Sequence, residues 1–209
     1  MGTLEQPLGG TMTSYSQYGE DLRAWEICGR RGLRNGRMLE IGAWHPIDKS
    51  NSRLFIEAGW DAVLIEPSPA GIVALAKEYN DHPRVNVCAY PLTVHGGTVR
   101  MHLSDDALTG ETIPEQWKEA GGFYGCVDMM SMSLEAFFHQ YGGDFQVCSI
   151  DVEGLSVDLF CEMMRIGPRP RVVIVEHDNR HVELMGMAQA AGYQQTWLNG
   201  TNTVLEWRG

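Results

Sequence analysis

The chain has 209 residues, 27 acidic against 16 basic, and a formal net charge of −11 at pH 7. That balance argues against a broad basic surface for nucleic acid or an anionic membrane, and 44% hydrophobic with 21% charged residues excludes a disordered chain. The length fits one domain with one substantial core, and no apolar run approaches the roughly 18–20 residues that span a bilayer.

Residues 1–12 carry Gly2, Pro7, Gly9 and Gly10 but no positive segment followed by an apolar one. They read as a flexible leader rather than a signal peptide, with a single domain over 13–209. A helix is expected over 20–33, then a strand over 37–41 that ends at Gly42. A second helix spans 51–58 and stops at Gly59. The second strand covers 61–66, and Ser68 with Pro69 opens a helix over 68–79. A third strand is expected over 84–89, a fourth over 145–150 and a fifth over 171–176. Helices over 156–165 and 180–191 follow the last two. Each strand is short, β-branched and apolar on both faces, as buried parallel strands are.

The chain ends differently. Residues 193–198, then Asn199-Gly200, then 201–207 form a hairpin signal, because Asn-Gly accepts positive φ. Five core strands and two hairpin strands predict an α/β fold: a doubly wound, mostly parallel seven-stranded sheet with a C-terminal antiparallel hairpin. Such a hairpin on a nucleotide-binding α/β sheet is the architecture of class I methyltransferases. Residues 90–131 break the rhythm and read as an insertion over the site's mouth, a lid or else a surface loop, with a strand-like stretch at 98–103. Trp25 and Trp60 are expected to pack helices on the sheet, and Met129, Met130 and Met132 to fill core space. Cys28, Cys88, Cys126, Cys148 and Cys161 form no CxxC pair, which fits buried free thiols in a reducing, cytoplasmic setting.

Three features carry chemistry. Gly42, in Leu39-Glu40-Ile41-Gly42-Ala43, lets backbone approach a ligand at the end of the first strand. The full GxGxxG is absent, and Trp44-His45-Pro46 stands where further glycines would be. Glu66 ends the second strand 24 residues after Gly42. A carboxylate there suits the two hydroxyls of an adenosine ribose. Asp151 and Glu153 follow the fourth strand, and Glu176, His177 and Asp178 end or follow the fifth. If those strands are neighbours, the acids share the ligand-binding edge. Asp151, Glu153, Glu176 and Asp178 are then candidate ligands for Mg²⁺ or Mn²⁺, or else caps of loops and helices.

From residue 14 to 208 the chain resembles the FkbM family of S-adenosylmethionine-dependent methyltransferases. Tyr15-Ser16-Gln17-Tyr18-Gly19-Glu20-Asp21 is similar to that family's opening motif. Leu39-Glu40-Ile41-Gly42-Ala43, Ser50-Asn51-Ser52, Gly59-Trp60, Ile65-Glu66-Pro67 and Ile150-Asp151-Val152-Glu153-Gly154 follow in the family's order; Ser52 replaces the usual threonine. The resemblance implies S-adenosylmethionine as cofactor, with contacts from Gly42, Glu66 and the backbone around Ala89. It puts Ser16, Gln17 and Asp21 near the cofactor's amino-acid end and Asp151 at the methyl-transfer centre. Glu40, Ala43, Asn51 and Pro67, in the same motifs, complete the expected set.

An alcohol acceptor loses its proton during transfer, so a base within hydrogen-bond reach is expected. Asp151 comes first, then His177 and Glu153, with His45 and His181 secondary. Trp44, Trp117, Phe123 and Tyr124 are candidates to line an acceptor pocket. The expected reaction is O-methylation of a small molecule or glycan, with N-methylation of a peptide as the alternative. A nicotinamide-dependent oxidoreductase and a non-catalytic cofactor-binding subunit are the rivals. No nucleic-acid or membrane partner is expected, and a homo-oligomer is left open.

Overall fold

The computed structural model describes residues 3–5, 11–104, 108–109 and 123–209. Strands β1 (Thr3–Glu5) and β2 (Thr11–Thr13) pair with each other. Helix α1 (Glu20–Arg30) leads into β3 (Arg37–Ile41), α2 (Arg53–Glu57) and β4 (Asp61–Ile65). Next come α3 (Pro69–Tyr79) and β5 (Val85–Cys88). Strands β6 (Leu92–Thr93), β7 (Gly97–Ser104), β8 (Leu108–Thr109) and β9 (Phe123–Ser133) precede α4 (Leu134–Tyr141). The remainder is β10 (Val147–Ile150), α5 (Ser156–Ile166), β11 (Val172–Glu176), α6 (His181–Ala190), β12 (Tyr193–Leu198) and β13 (Asn202–Trp207).

Seven strands form the central sheet in the order β12-β13-β11-β10-β3-β4-β5. From β11 to β5 all neighbours are parallel, and β13 runs antiparallel to both β11 and β12. The first core strand, β3, thus lies in the middle: the chain builds outward to β5 and then returns to β10 on the other side.

Alternation along each strand supplies both faces with apolar side chains. Leu39, Ile41, Val63, Ile65, Cys148 and Ile150 pack in one cluster with α4, α5 and α6. Met38, Val147, Val172 and Ile174 point the other way, into a cluster with α1 and α2. There Trp25, Phe55 and the fully buried Trp60 meet edge to face, with Phe55 5.4 Å from Trp25 and 5.0 Å from Trp60. Both tryptophans therefore hold helices on the sheet, as expected.

The Ser68 hydroxyl accepts the Gly71 N–H at 3.1 Å and caps α3. Asn199 closes the terminal hairpin: its side-chain oxygen accepts the N–H groups of Thr201 and Asn202 at 2.8 and 2.6 Å. Among the described residues no helix is long and apolar enough to cross a membrane.

Three expectations need correction. The described part of 90–131 is a second sheet, in which β9 lies between β6 and β7. β7 and β9 run antiparallel from Gly97↔Ser131 to Ser104↔Phe123, too long a pairing for a plain surface loop. Met130 faces outward from β9 at 70% exposure, while Met132 packs against the core. Cys126 is likewise exposed, although Cys28, Cys88 and Cys148 are buried and all five thiols are free.

Candidate active site at the carboxyl edge of the sheet

The registers set Ile41, Ile65, Ile150 and Val175 side by side. The residues that follow them, Gly42, Glu66, Asp151 and Glu176, therefore form one row along the carboxyl edge. Asn202, paired with Glu176, extends the row at one end. Ala89 extends it at the other, because Cys88 pairs with Ile65. With strands ~4.8 Å apart, Asp151 and Glu176 are immediate neighbours, and Gly42 separates Asp151 from Glu66. The chain reverses its direction of growth between β3 and β10, and open α/β sheets bind ligands at such a switch point. A cavity of about 350 Å³ opens there, within the range of small-ligand sites.

Two close approaches shape this edge. Gly42 has φ +85°, and a β-carbon on it would lie 1.8 Å from the Asp151 carbonyl oxygen. Gly71, in the first turn of α3, leaves room for the Glu66 side chain and the Trp44 carbonyl, which a β-carbon would meet at 2.6 and 2.7 Å. Glu66 is 4% exposed. Its Oε2 accepts the Trp44 N–H at 2.8 Å, and its Oε1 accepts the Ser68 N–H at 2.7 Å. Each oxygen keeps a further lone pair. Trp44 holds φ +47°, a left-handed conformation rare for a bulky residue, and it lines the cavity.

Four acids crowd the other side. Carboxylate oxygens of Glu153, Glu176 and Asp178 lie within 4.8 Å of one another. Burial raises the Asp151 carboxyl, with the Asp178 and Glu20 charges adding to it and Lys49 opposing. Burial and the charges of Asp151, Glu153 and Asp178 raise the Glu176 carboxyl as well. Asp178 is also raised by burial, although it accepts the Gly154 N–H at 3.3 Å.

Of the cofactor residues expected from sequence, Gln17, Gly42, Asn51, Glu66, Pro67 and Asp151 line the cavity. Ser16, Asp21, Glu40, Ala43 and Ala89 are not on its wall, for identifiable reasons. Asp21 accepts the Ser14 and Ser16 hydroxyls at 2.6 and 2.8 Å and the Tyr15 N–H at 2.8 Å. Ser16 and Asp21 thus shape the turn that carries Gln17. Glu40, 3% exposed, accepts the Asn51 N–H at 2.8 Å and so holds a wall residue in place. Burial raises its carboxyl to about 7. Ala43 is buried under α3, and Ala89 faces solvent.

Of the candidate bases, Asp151 and Glu153 line the cavity and His177 does not. Its N–H donates to the Thr201 carbonyl at 2.9 Å, and its ring packs against His181 at 5.5 Å. One residue beyond Glu176, it leaves the sheet edge and packs against the hairpin turn at Asn199 and Thr201. His45 and His181 are engaged as well: His45 Nδ1 accepts the Asp48 N–H at 3.0 Å, and His181 Nε2 lies 2.7 Å from Gln195 Oε1. Trp117 and the side chains of Phe123 and Tyr124 lie outside the described residues.

Sequence reasoning missed several wall residues. Glu20, 1% exposed, accepts from Asn202 Nδ2 at 2.7 Å and joins α1 to the hairpin across the cavity floor. In the sequence it marks only the start of a helix. Lys49 on the wall carries no motif at all. Leu92, Val99 and Met101 of the second sheet supply an apolar side. Helix α4 also has a legible signal, the Ser133 cap followed by Leu134, Phe137 and Phe138 at helical spacing.

No protein-family model matches the chain, and a search of the curated proteins finds no match. Solved structures do resemble it. A hypothetical protein of Thermus thermophilus is 14% identical, with 99% of this chain and 93% of that one covered and a TM-score of 0.53. The METTL16 MTase domain is 9% identical, with 98% and 85% covered and a TM-score of 0.51. At these identities the likeness is one of fold. The mostly parallel seven-stranded sheet with its terminal antiparallel hairpin is the Rossmann-like fold of class I S-adenosylmethionine-dependent methyltransferases.

Proposed function

We propose that this chain is an S-adenosylmethionine-dependent methyltransferase of the FkbM kind, acting on a hydroxyl of a small molecule or glycan. The observation that carries the reading is Glu66. It is buried beside Gly42, with both oxygens pre-oriented by backbone N–H groups and a lone pair on each left for a ribose hydroxyl. Ser16, Asp21 and Glu40 hold Gln17 and Asn51, which flank the cofactor's amino-acid end.

The charge of the wall favours this cofactor over a dinucleotide. Glu20, Glu66, Asp151, Glu153 and Glu176 line the cavity together with Lys49. Such a wall suits a sulfonium and an ammonium and repels a pyrophosphate. The cofactor brings an activated methyl. The protein has to align the acceptor's lone pair with the S–CH₃ bond, exclude water and take a proton. In this reading Asp151 is the base, and the sheet carrying Leu92, Val99 and Met101 covers the acceptor like a lid.

Calorimetric titration with S-adenosylhomocysteine and with NADH tests the assignment. One S-adenosylhomocysteine per chain and no NADH binding is expected. NADH binding alone overturns it.

A further inference from the structure

Five of the six tryptophans lie among the described residues. Trp25, Trp60 and Trp197 pack in the apolar cluster beneath α1 and α2, and Trp207 in the cluster on the opposite face of the sheet. Trp44 joins none of the three clusters formed by the described residues. It is half-buried and lines the cavity. A large apolar ring that packs on no core is a poor investment for folding alone.

Its backbone adds a second, independent cost. Trp44 holds φ +47°, a conformation that Asn or Gly adopts far more readily than a bulky residue. Local structure enforces it: the Trp44 N–H donates to Glu66 Oε2 at 2.8 Å, and a β-carbon on Gly71 would meet the Trp44 carbonyl at 2.7 Å and the Glu66 Cγ at 2.6 Å. The Trp44 backbone, the Glu66 stem and Gly71 thus fill one spot. Strain held in this way, beside a cavity, marks a side chain kept for what it binds. The same tether fixes which end of the cavity the indole can serve. It stays within one side chain's reach of Glu66, whereas Asp151 lies two strand spacings along the row, roughly 10 Å away.

We propose that Trp44 is a cofactor-recognition residue whose indole closes over the nucleoside that Glu66 holds by its ribose. An apolar ring there removes water from the ribose hydrogen bonds, which strengthen in drier surroundings, and offers its face to the sugar and purine. Trp44-His45-Pro46 stands where a dinucleotide-type loop would have further glycines. Glycines let the backbone approach a ligand; here a side chain covers it instead. This deepens the Glu66 reading, on which it rests, and moves Trp44 from the acceptor to the cofactor.

Calorimetric titration of the full chain with S-adenosylhomocysteine and with adenosine, on the parent and on variants, tests the proposal. Trp44→Asn accepts left-handed backbone, so it should melt no lower than the parent while losing affinity for both ligands by the same factor, about tenfold. Trp44→Phe keeps an aromatic face and should recover most of that affinity. The change in tryptophan emission that S-adenosylhomocysteine causes in the parent should vanish in Trp44→Phe. Trp197→Ala, which removes a packed ring, should do the reverse of Trp44→Asn: a lower melting temperature with unchanged affinity. Parental affinity in Trp44→Asn, a loss confined to S-adenosylhomocysteine, or a melting temperature lowered as far as in Trp197→Ala overturns the proposal alone. A parent that binds neither ligand overturns the Glu66 reading and this proposal with it.

Discussion

Gly42 and Asp151 interlock through a missing side chain: a β-carbon on Gly42 would stand 1.8 Å from the Asp151 carbonyl oxygen. The turn after β3 and the end of β10 are thereby held at a separation that no other residue permits. Gly42→Ala would force them apart and also put alanine at φ +85°. Left-handed backbone and overpacking each cost about 1–3 kcal/mol. A loss of roughly 2–5 kcal/mol in urea unfolding is expected, together with loss of S-adenosylhomocysteine binding.

Glu66 carries the cofactor assignment, and two substitutions separate its roles. Glu66→Gln keeps one acceptor for a backbone N–H but loses charge-assisted bonds to the ribose. S-adenosylhomocysteine affinity should fall about 10–100-fold, in line with about 1.5–3 kcal/mol for such bonds. Glu66→Ala also strands the Trp44 and Ser68 N–H groups, so thermal stability should fall too, by about 1–3 kcal/mol. Calorimetry and thermal melts distinguish the two.

Glu40 gives the protein a pH dependence of stability. Its carboxyl rises from 4.5 to about 7 on folding, chiefly through burial. The folded state therefore holds the proton more tightly. The associated stabilisation is complete below pH 4.5 and lost as pH rises through about 7, a change of roughly 3 kcal/mol. Glu40→Gln should flatten this part of the stability-against-pH curve and leave the variant more stable than the parent at pH 8. A curve unchanged by the substitution would refute the assignment.

Asp151 and His177 make a contrasting pair for catalysis. Asp151→Asn should reduce methyl transfer to any accepted hydroxyl about 100–10,000-fold, the usual worth of a general base, while S-adenosylhomocysteine still binds. His177→Ala should keep methyl transfer within a few-fold and lower the melting temperature, because His177 packs the hairpin turn. Labelled-methyl transfer and thermal melting give opposite orders for the two variants if the placement is right.

Much of the fold was legible because its signals are local. The apolar runs that became β3, β4, β10 and β11 are buried on both faces, and such runs announce themselves without knowledge of their neighbours. Gly59, Ser68 and Asn199-Gly200 mark turns through their own backbone preferences. The second sheet was less readable. Its long pair, β7 with β9, joins residues 19 to 34 positions apart, and the polar stretch between them hides the pairing.

By itself, then, the sequence determined which segments are strands and helices, their alternation, the hairpin at the end, and the acids and glycine that stop at strand ends. Each of these depends on side chains within a few residues. The tertiary structure decided which of them meet. Register between strands is set by packing summed over both faces of the sheet, and a slip of one residue exchanges those faces. That register brings Glu66, Gly42, Asp151, Glu176 and Asn202 into one row. It adds Glu20 from a distant helix and sets His177, adjacent in sequence to Glu176, against the hairpin turn.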